Sequence, residues 1–162
     1  MTSSRTGIGI DVHRLKKGGP IILGGVQIPH EYGLLGHSDG DVLLHAVIDA
    51  FLGAANMGDI GVHFPSDNPD YKGISSEILL ETAFSLIVEK GWKPVFVDAT
   101  IIAEKPRLAK FVPQMKIKIA RAVNLTQEDV SIKATTTDGL GYIGRGEGIA
   151  CHAVVTLSLI HI

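Results

Sequence analysis

At 162 residues, with hydrophobic side chains at 45% and charged ones at 20%, the chain has the size and balance of one globular domain, burying about 70% of its unfolded surface. A net charge of -2 with no basic stripe excludes nucleic acid as an expected partner, and the lone Cys151 excludes an internal disulfide. No apolar run nears the roughly 20 residues that span a bilayer and no signal-peptide pattern precedes the first strand, so no membrane contact is expected; the expected setting is cytoplasm, or an organelle if a transit peptide has been removed.

From Thr6 to His13 the residues alternate, with Thr6, Ile8, Ile10 and Val12 on one face of a strand and Gly7, Gly9, Asp11 and His13 on the other. Asp11 and His13 share a face, which is half of a metal site, and the glycines before them leave room for a ligand. Pro20 to Ile28 reads as a β-hairpin turned by Gly24-Gly25, two residues that supply the positive φ angles of a primed turn.

The polar turn His37-Ser38-Asp39-Gly40 then runs into a helix whose Leu44, Val47, Ile48, Phe51 and Leu52 place one face in the core, with Asp39 or Ser38 as its cap. Free amides at that helix start favour a phosphate against the turn, which makes His37 a candidate phosphate contact. His45 is a candidate third metal ligand. Asp49, one turn on, is expected to accept the second imidazole N–H and fix which nitrogen faces the metal. Taken singly, Asp11 and His13 fit a solvated strand face and His45 a satisfied core histidine.

Asn56 to Pro69, with two glycines and two prolines, is expected to stay an irregular loop. Ser75 or Ser76 caps the next helix, which Lys90-Gly91 stops. Pro94 to Ala103 alternates as a central strand with both faces mostly covered, and Pro113 opens a further helix with Lys116, Lys118 and Arg121 on its wet side. Thr126 to Asp129 forms a capped turn before a strand over 130–135. Thr135 to Gly148 holds five glycines, three threonines, an arginine and two acids, a loop able to approach phosphates, although it matches neither the Walker pattern nor a dinucleotide fingerprint. From Ile149 alternation of Cys151, Ala153, Val155 and Leu157 closes the sheet, and Cys151 reads as packing. The final Leu159 to Ile162 has no reading.

Several of these segments recur together and in order: Gly9-Ile-Asp11-Val-His13, His37 to His45, Gly58-Asp59-Ile-Gly61, Ala103 to Ala109, Pro113-Gln-Met115, Lys133 to Thr137 and Gly144 to Cys151. In this the chain resembles the 2-C-methyl-D-erythritol 2,4-cyclodiphosphate synthase family of the non-mevalonate isoprenoid pathway, over nearly its whole length. The resemblance implies a single α+β domain over 1–162, a mixed sheet covered on one side by helices, assembled as a homotrimer with active sites between subunits. It implies conversion of 4-diphosphocytidyl-2-C-methyl-D-erythritol 2-phosphate to the cyclic diphosphate with release of CMP, a lyase reaction.

By position, the resemblance makes Asp11, His13 and His45 ligands of a divalent metal, usually zinc, and His37 and Thr136 the groups that stabilise developing charge. It gives substrate contacts to Ser38, Asp59, Gly61, Tyr142 and Arg145, and the cytidine site to Ala103, Pro106, Arg107, Leu108, Ala109 and Thr135. Asp138, where relatives often carry Glu, matches the carboxylate for a second ion, magnesium or manganese. Arg145 and Glu147 match residues lining a cavity on the trimer axis that takes an isoprenoid diphosphate. A metal-dependent phosphohydrolase is the runner-up, and a non-catalytic trimer binding a nucleotide or isoprenoid diphosphate is the alternative outside enzymes.

Overall fold

The computed structural model describes residues 3–160. Alternation becomes strand where expected: β1 (Ser4–Lys17) begins the chain, and the hairpin follows as β2 (Ile21–Leu23) and β3 (Val26–Ile28), with Gly24 and Gly25 at φ +58° and +73°. Next come β4 (Tyr32–Leu34), α1 (Val42–Ala54), α2 (Ile60–His63) and α3 (Ser76–Glu89). The second half runs β5 (Trp92–Ile102), α4 (Val112–Ala122), β6 (Val130–Thr135), α5 (Gly141–Gly144) and β7 (Gly148–Leu159). The main sheet has the order β4-β1-β7-β5-β6, antiparallel except for the β5–β6 pair, whose crossover contains α4. It is a mixed sheet in an α+β domain, with helices on one face.

The inward residues of β5 and β7 are small or branched: Val97, Ala99 and Ile101 face Cys151, Ala153, Val155 and Leu157, all buried. On β1 the inward face opens with Gly7 and Gly9 instead. A Cβ at Gly9 would sit 1.9 Å from the Ala46 carbonyl oxygen, and one at Gly7 2.1 Å from that of Ala50. Helix α1 therefore lies on the bare backbone of β1, so these glycines make room for a helix and not for a ligand. That contact explains another departure from expectation. Instead of one buried face, α1 is covered on all sides, with only Asp49 and Gly53 outside the buried set.

The cap of α1 is Asp41, not Asp39 or Ser38. Its carboxylate accepts the Leu44 amide at 3.0 Å, and also the Gly24 and Gly25 amides at 3.0 and 2.7 Å, so the hairpin turn is pinned to the helix start. Burial pushes the Asp41 carboxyl up to about 6 against the pull of those three amides. Ser75 caps α3 through the Glu77 amide, and Pro113 is the second residue of α4, one place later than expected.

Two expectations are corrected. The 56–69 segment is not irregular throughout, because Asp59 caps the single turn α2 by accepting the Val62 amide. β5 is covered on one face only: Asp98, Thr100 and Ile102 are half-buried, and an irregularity between Pro94 and Phe96 leaves Val95 and Phe96 exposed. His161 and Ile162, within the unread tail, lie outside the described residues.

Gly9→Ala should lower the unfolding free energy by about 3 kcal/mol or more, because its methyl meets helix backbone that cannot yield locally. Urea denaturation checks this, and a loss under about 1 kcal/mol would contradict direct seating of α1 on β1.

Candidate active site

Two residues beyond the glycine seat, the same face of β1 carries Asp11 and His13, and the first turn of α1 brings in His45, 9% exposed. Asp11 Oδ2 lies 2.8 Å from His13 Nε2 and 3.2 Å from His45 Nδ1, and the two imidazole nitrogens are 3.0 Å apart. The three ligand atoms fall within 4.8 Å of one another, the one such group of three among the described residues. One carboxylate and two imidazoles converging on a point fit a divalent cation and leave a fourth tetrahedral position to a substrate oxygen.

Electrostatics favour a positive centre here. Burial works against the Asp11 carboxylate, but hydrogen bonds and charge from His13 and His45 outweigh it and bring its pKa down from 3.8 to about 2. Burial likewise opposes protonation of His45. The hydrogen bond and charge of Asp11, with the charges of Asp41 and Asp39, overcome it and raise the pKa above 6.5.

Asp49 does not orient His45. A helical side chain leans toward the N-terminus, so the His45 ring reaches back over the preceding turn and away from the residue one turn ahead. Its Nε2 instead meets Ser38 Oγ and Ser76 Oγ, each at 2.9 Å, while Asp49 accepts the Ile60 amide at 2.7 Å and holds α2. Ser76, at the start of α3, is bound in turn by Asp39, whose oxygens accept the Ser76 amide at 2.8 Å and its hydroxyl at 2.5 Å. No periodicity marks Ser76. It stands beside the serine that caps the helix, and only the meeting of α1 with α3 gives it a role.

Beside His45 opens a cavity of about 160 Å³ with His37, Ser38 and Gly61 on its wall and apolar Ile60, Phe64 and Leu79 behind. His37 is exposed, its Nε2 3.3 Å from the Asn68 carbonyl, so its ring is available to an anion entering there. Asp59 sits at the head of α2 as its cap.

Ala103, Pro106, Arg107, Leu108, Ala109, Thr135 and Thr136 gather around a separate cavity of about 320 Å³ at the ends of β5 and β6. The Ala103 amide donates to the Thr135 carbonyl at 2.9 Å. Glu104, which periodicity does not single out, clamps the glycine-rich loop: one oxygen accepts the Thr137 and Gly139 amides at 2.9 and 3.2 Å and the Thr137 hydroxyl at 3.1 Å. Those bonds hold its carboxyl below the ordinary range. The loop backbone turns through Asp138 at φ +57°, with the Asp138 amide on Thr136 Oγ1. Tyr142 is 46% exposed, and Arg145 pairs with Glu147 at 2.7 Å on the surface.

Within one chain these two groups do not meet. Register runs Val12↔Ala150↔Ile102↔Thr135, so Thr135 is three strand spacings from β1, about 14 Å. Cross-strand neighbours share a face, which puts Thr135 on the side of Val12 and opposite Asp11.

Residues 4–158 match the model of the YgbB family. The chain belongs to the YgbB family. It is 54% identical to 2-C-methyl-D-erythritol 2,4-cyclodiphosphate synthase of Syntrophomonas wolfei over 94% of this chain and 98% of that protein. The same identity and coverage relate it to the synthase of Azotobacter vinelandii. Among solved structures it resembles IspF of Plasmodium falciparum in complex with CDP, with TM-score 0.86 and 32% identity over 99% of both chains. It also resembles the bifunctional IspDF of Campylobacter jejuni, with TM-score 0.95 and 40% identity; the match takes in 99% of this chain and 43% of that longer one.

The depressed Asp11 carboxyl makes the metal-free YgbB-family fold acid-sensitive in a defined window. Its contribution is present above pH 4 and is lost as pH falls from about 4 toward about 2, about 2 kcal/mol in all. Asp11→Asn should remove that part of the acid limb when denaturant unfolding is compared across the window; an unchanged limb would show that the pairing with His13 and His45 is not made.

Proposed function

We propose that this chain is a 2-C-methyl-D-erythritol 2,4-cyclodiphosphate synthase. It converts 4-diphosphocytidyl-2-C-methyl-D-erythritol 2-phosphate to the 2,4-cyclodiphosphate and CMP. The observation that carries this reading is the Asp11, His13 and His45 cluster in a chain 54% identical to a named synthase over nearly the full length of both. In the reaction an oxygen of the substrate's 2-phosphate forms a bond to the β-phosphorus, and the bond from that phosphorus to the CMP oxygen breaks. The attacking oxygen is already anionic, so no activated serine or cysteine is needed, and Cys151, buried with its thiol pKa raised, supplies none.

Asp11 Oδ2, His13 Nε2 and His45 Nδ1 would hold a divalent ion, zinc by its donor set, which when bound supplies Lewis acidity toward a phosphate oxygen. The chain's own residues position the rest. His37 and Ser38 take the phosphate in the cavity beside the cluster, with Asp59 and Gly61 near the methylerythritol. Ala103 to Ala109 with Thr135 take the cytidine; that a structural relative is a CDP complex supports a cytidine nucleotide as ligand. The Thr136 hydroxyl lies at the nucleotide cavity, Tyr142 and Arg145 serve as further substrate contacts, and Asp138 would hold a second ion, magnesium or manganese, on the diphosphate.

A homotrimer unites the two groups. The sheet face turned from the helices exposes Ile8, Ile10 and Val12 at 62%, 53% and 44%, a patch that a second copy would cover. Arg145 and Glu147 would then line the axis, where an isoprenoid diphosphate is the proposed ligand. Cytoplasm is the proposed setting, in keeping with the single unpaired cysteine; no helix among the described residues is long and apolar enough to cross a membrane.

Phosphorus NMR of the protein with this substrate and a divalent metal tests the reading. A product with two coupled phosphorus signals alongside CMP is expected, and His45→Ala should lose metal retention and turnover together. CMP with an uncyclised bisphosphate would mean that water attacks and that the chain is a phosphohydrolase; no CMP from metal-loaded protein would make it a binding trimer.

A further inference from the structure

The proton on Ser76 decides the chemistry of His45. Ser76 is fully buried, and its hydroxyl has three neighbours within reach: Asp39 Oδ1 at 2.5 Å, His45 Nε2 at 2.9 Å and Ser38 Oγ at 3.4 Å. An ionised carboxylate only accepts, so the short contact with Asp39 takes the single hydroxyl proton. Asp39 is itself fixed, since its other oxygen accepts the Ser76 amide at 2.8 Å and its Oδ1 also accepts the Asp41 amide at 3.1 Å. A lone pair of Ser76 is thereby left facing His45 Nε2, and that nitrogen must carry the hydrogen.

We propose that Ser76, held by Asp39, is the positioning residue that fixes the Nε2–H tautomer of His45 and commits Nδ1 to the metal. This inference rests on the metal reading of the Asp11, His13 and His45 cluster. Ser38 cannot replace Ser76. Its hydroxyl is not tied to a carboxylate, so it can donate to Nε2 as readily as accept from it. That same freedom leaves Ser38 able to turn its proton toward a phosphate in the adjoining cavity. Without Ser76, the competing arrangement is Nδ1–H pointing at Asp11 Oδ2, 3.2 Å away, which occupies the nitrogen the metal needs.

The test uses metal-free full-length protein, long-range proton–nitrogen correlation spectra of His45 in its neutral form, and zinc affinity by competition with a chromophoric chelator. Ser76→Ala should fold, because Ser75 still caps α3. It should move His45 toward the Nδ1–H tautomer and weaken zinc on the order of 10 to 100-fold. Ser76→Thr, which keeps the hydroxyl, should restore both. Asp39→Ala should shift the tautomer although Ser76 is present, a result that loss of packing alone would not give. If wild type binds zinc and Ser76→Ala binds it within about twofold with the Nε2–H tautomer intact, the positioning role is wrong while the metal site stands. If wild type holds zinc no better than Asp11→Ala does, the metal reading itself fails and this inference falls with it.

Discussion

The structure depends on one close approach, the seating of α1 on the bare backbone of β1. Two residues without side chains, Gly7 and Gly9, meet the Ala46, Ala50 and Ala54 side of the helix, and no larger pair would fit. A strand with side chains there would hold the helix off by several ångströms. His45 would then lose contact with Asp11 and His13, because a metal site tolerates errors of only a few tenths of an ångström. The candidate metal site is in this sense a product of packing: the glycines come first in the chain, Asp11 and His13 follow on the same face, and the helix supplies His45 from its opening turn.

Burying carboxylates at the start of that helix requires compensation, and the chain supplies it mainly from the backbone. Asp41 takes three amides, two of them from the Gly24-Gly25 turn, so a hairpin remote in sequence helps fix the register of α1. Asp39 takes two amides and the Ser76 hydroxyl, joining the start of α3 to that of α1. Asp11 alone is balanced by imidazoles. The consequence is a negative neighbourhood in which two carboxylates are satisfied internally and the third is left to attract a cation.

Much of this was legible in the sequence, and the misses have physical causes. Strand periodicity placed Asp11 beside His13, and the Gly-Gly turn marked the hairpin, because both are local rules. The role of Gly7 and Gly9 was misread as room for a ligand, since what fills the space is a helix more than thirty residues away. Asp49 was expected to hold His45 on spacing alone; spacing gives the stripe along a helix but not the lean of the side chains toward its start. The proton path through Ser76 and Asp39 has no local signature. It exists only where α1 and α3 converge. Likewise β5 alternates as a strand covered on both sides, but alternation does not say whether a layer packs on its second face, and the helices of this chain cover one face of the sheet.

That second face brings the two groups of residues into one account. The Asp11, His13 and His45 cluster lies on the helix side of β1, and Thr135 on the opposite side of the sheet about 14 Å away, so within one chain the two groups stand apart and the proposed shared site draws them from different copies. Mixing Asp11→Ala protein with Thr136→Ala protein, under conditions that let subunits exchange, tests this most directly. Each variant alone should be inactive, and a one-to-one mixture should regain about a quarter of wild-type turnover, the product of two independent one-half chances of pairing intact halves. Continued inactivity in a mixture shown to have exchanged subunits would contradict a site shared between copies.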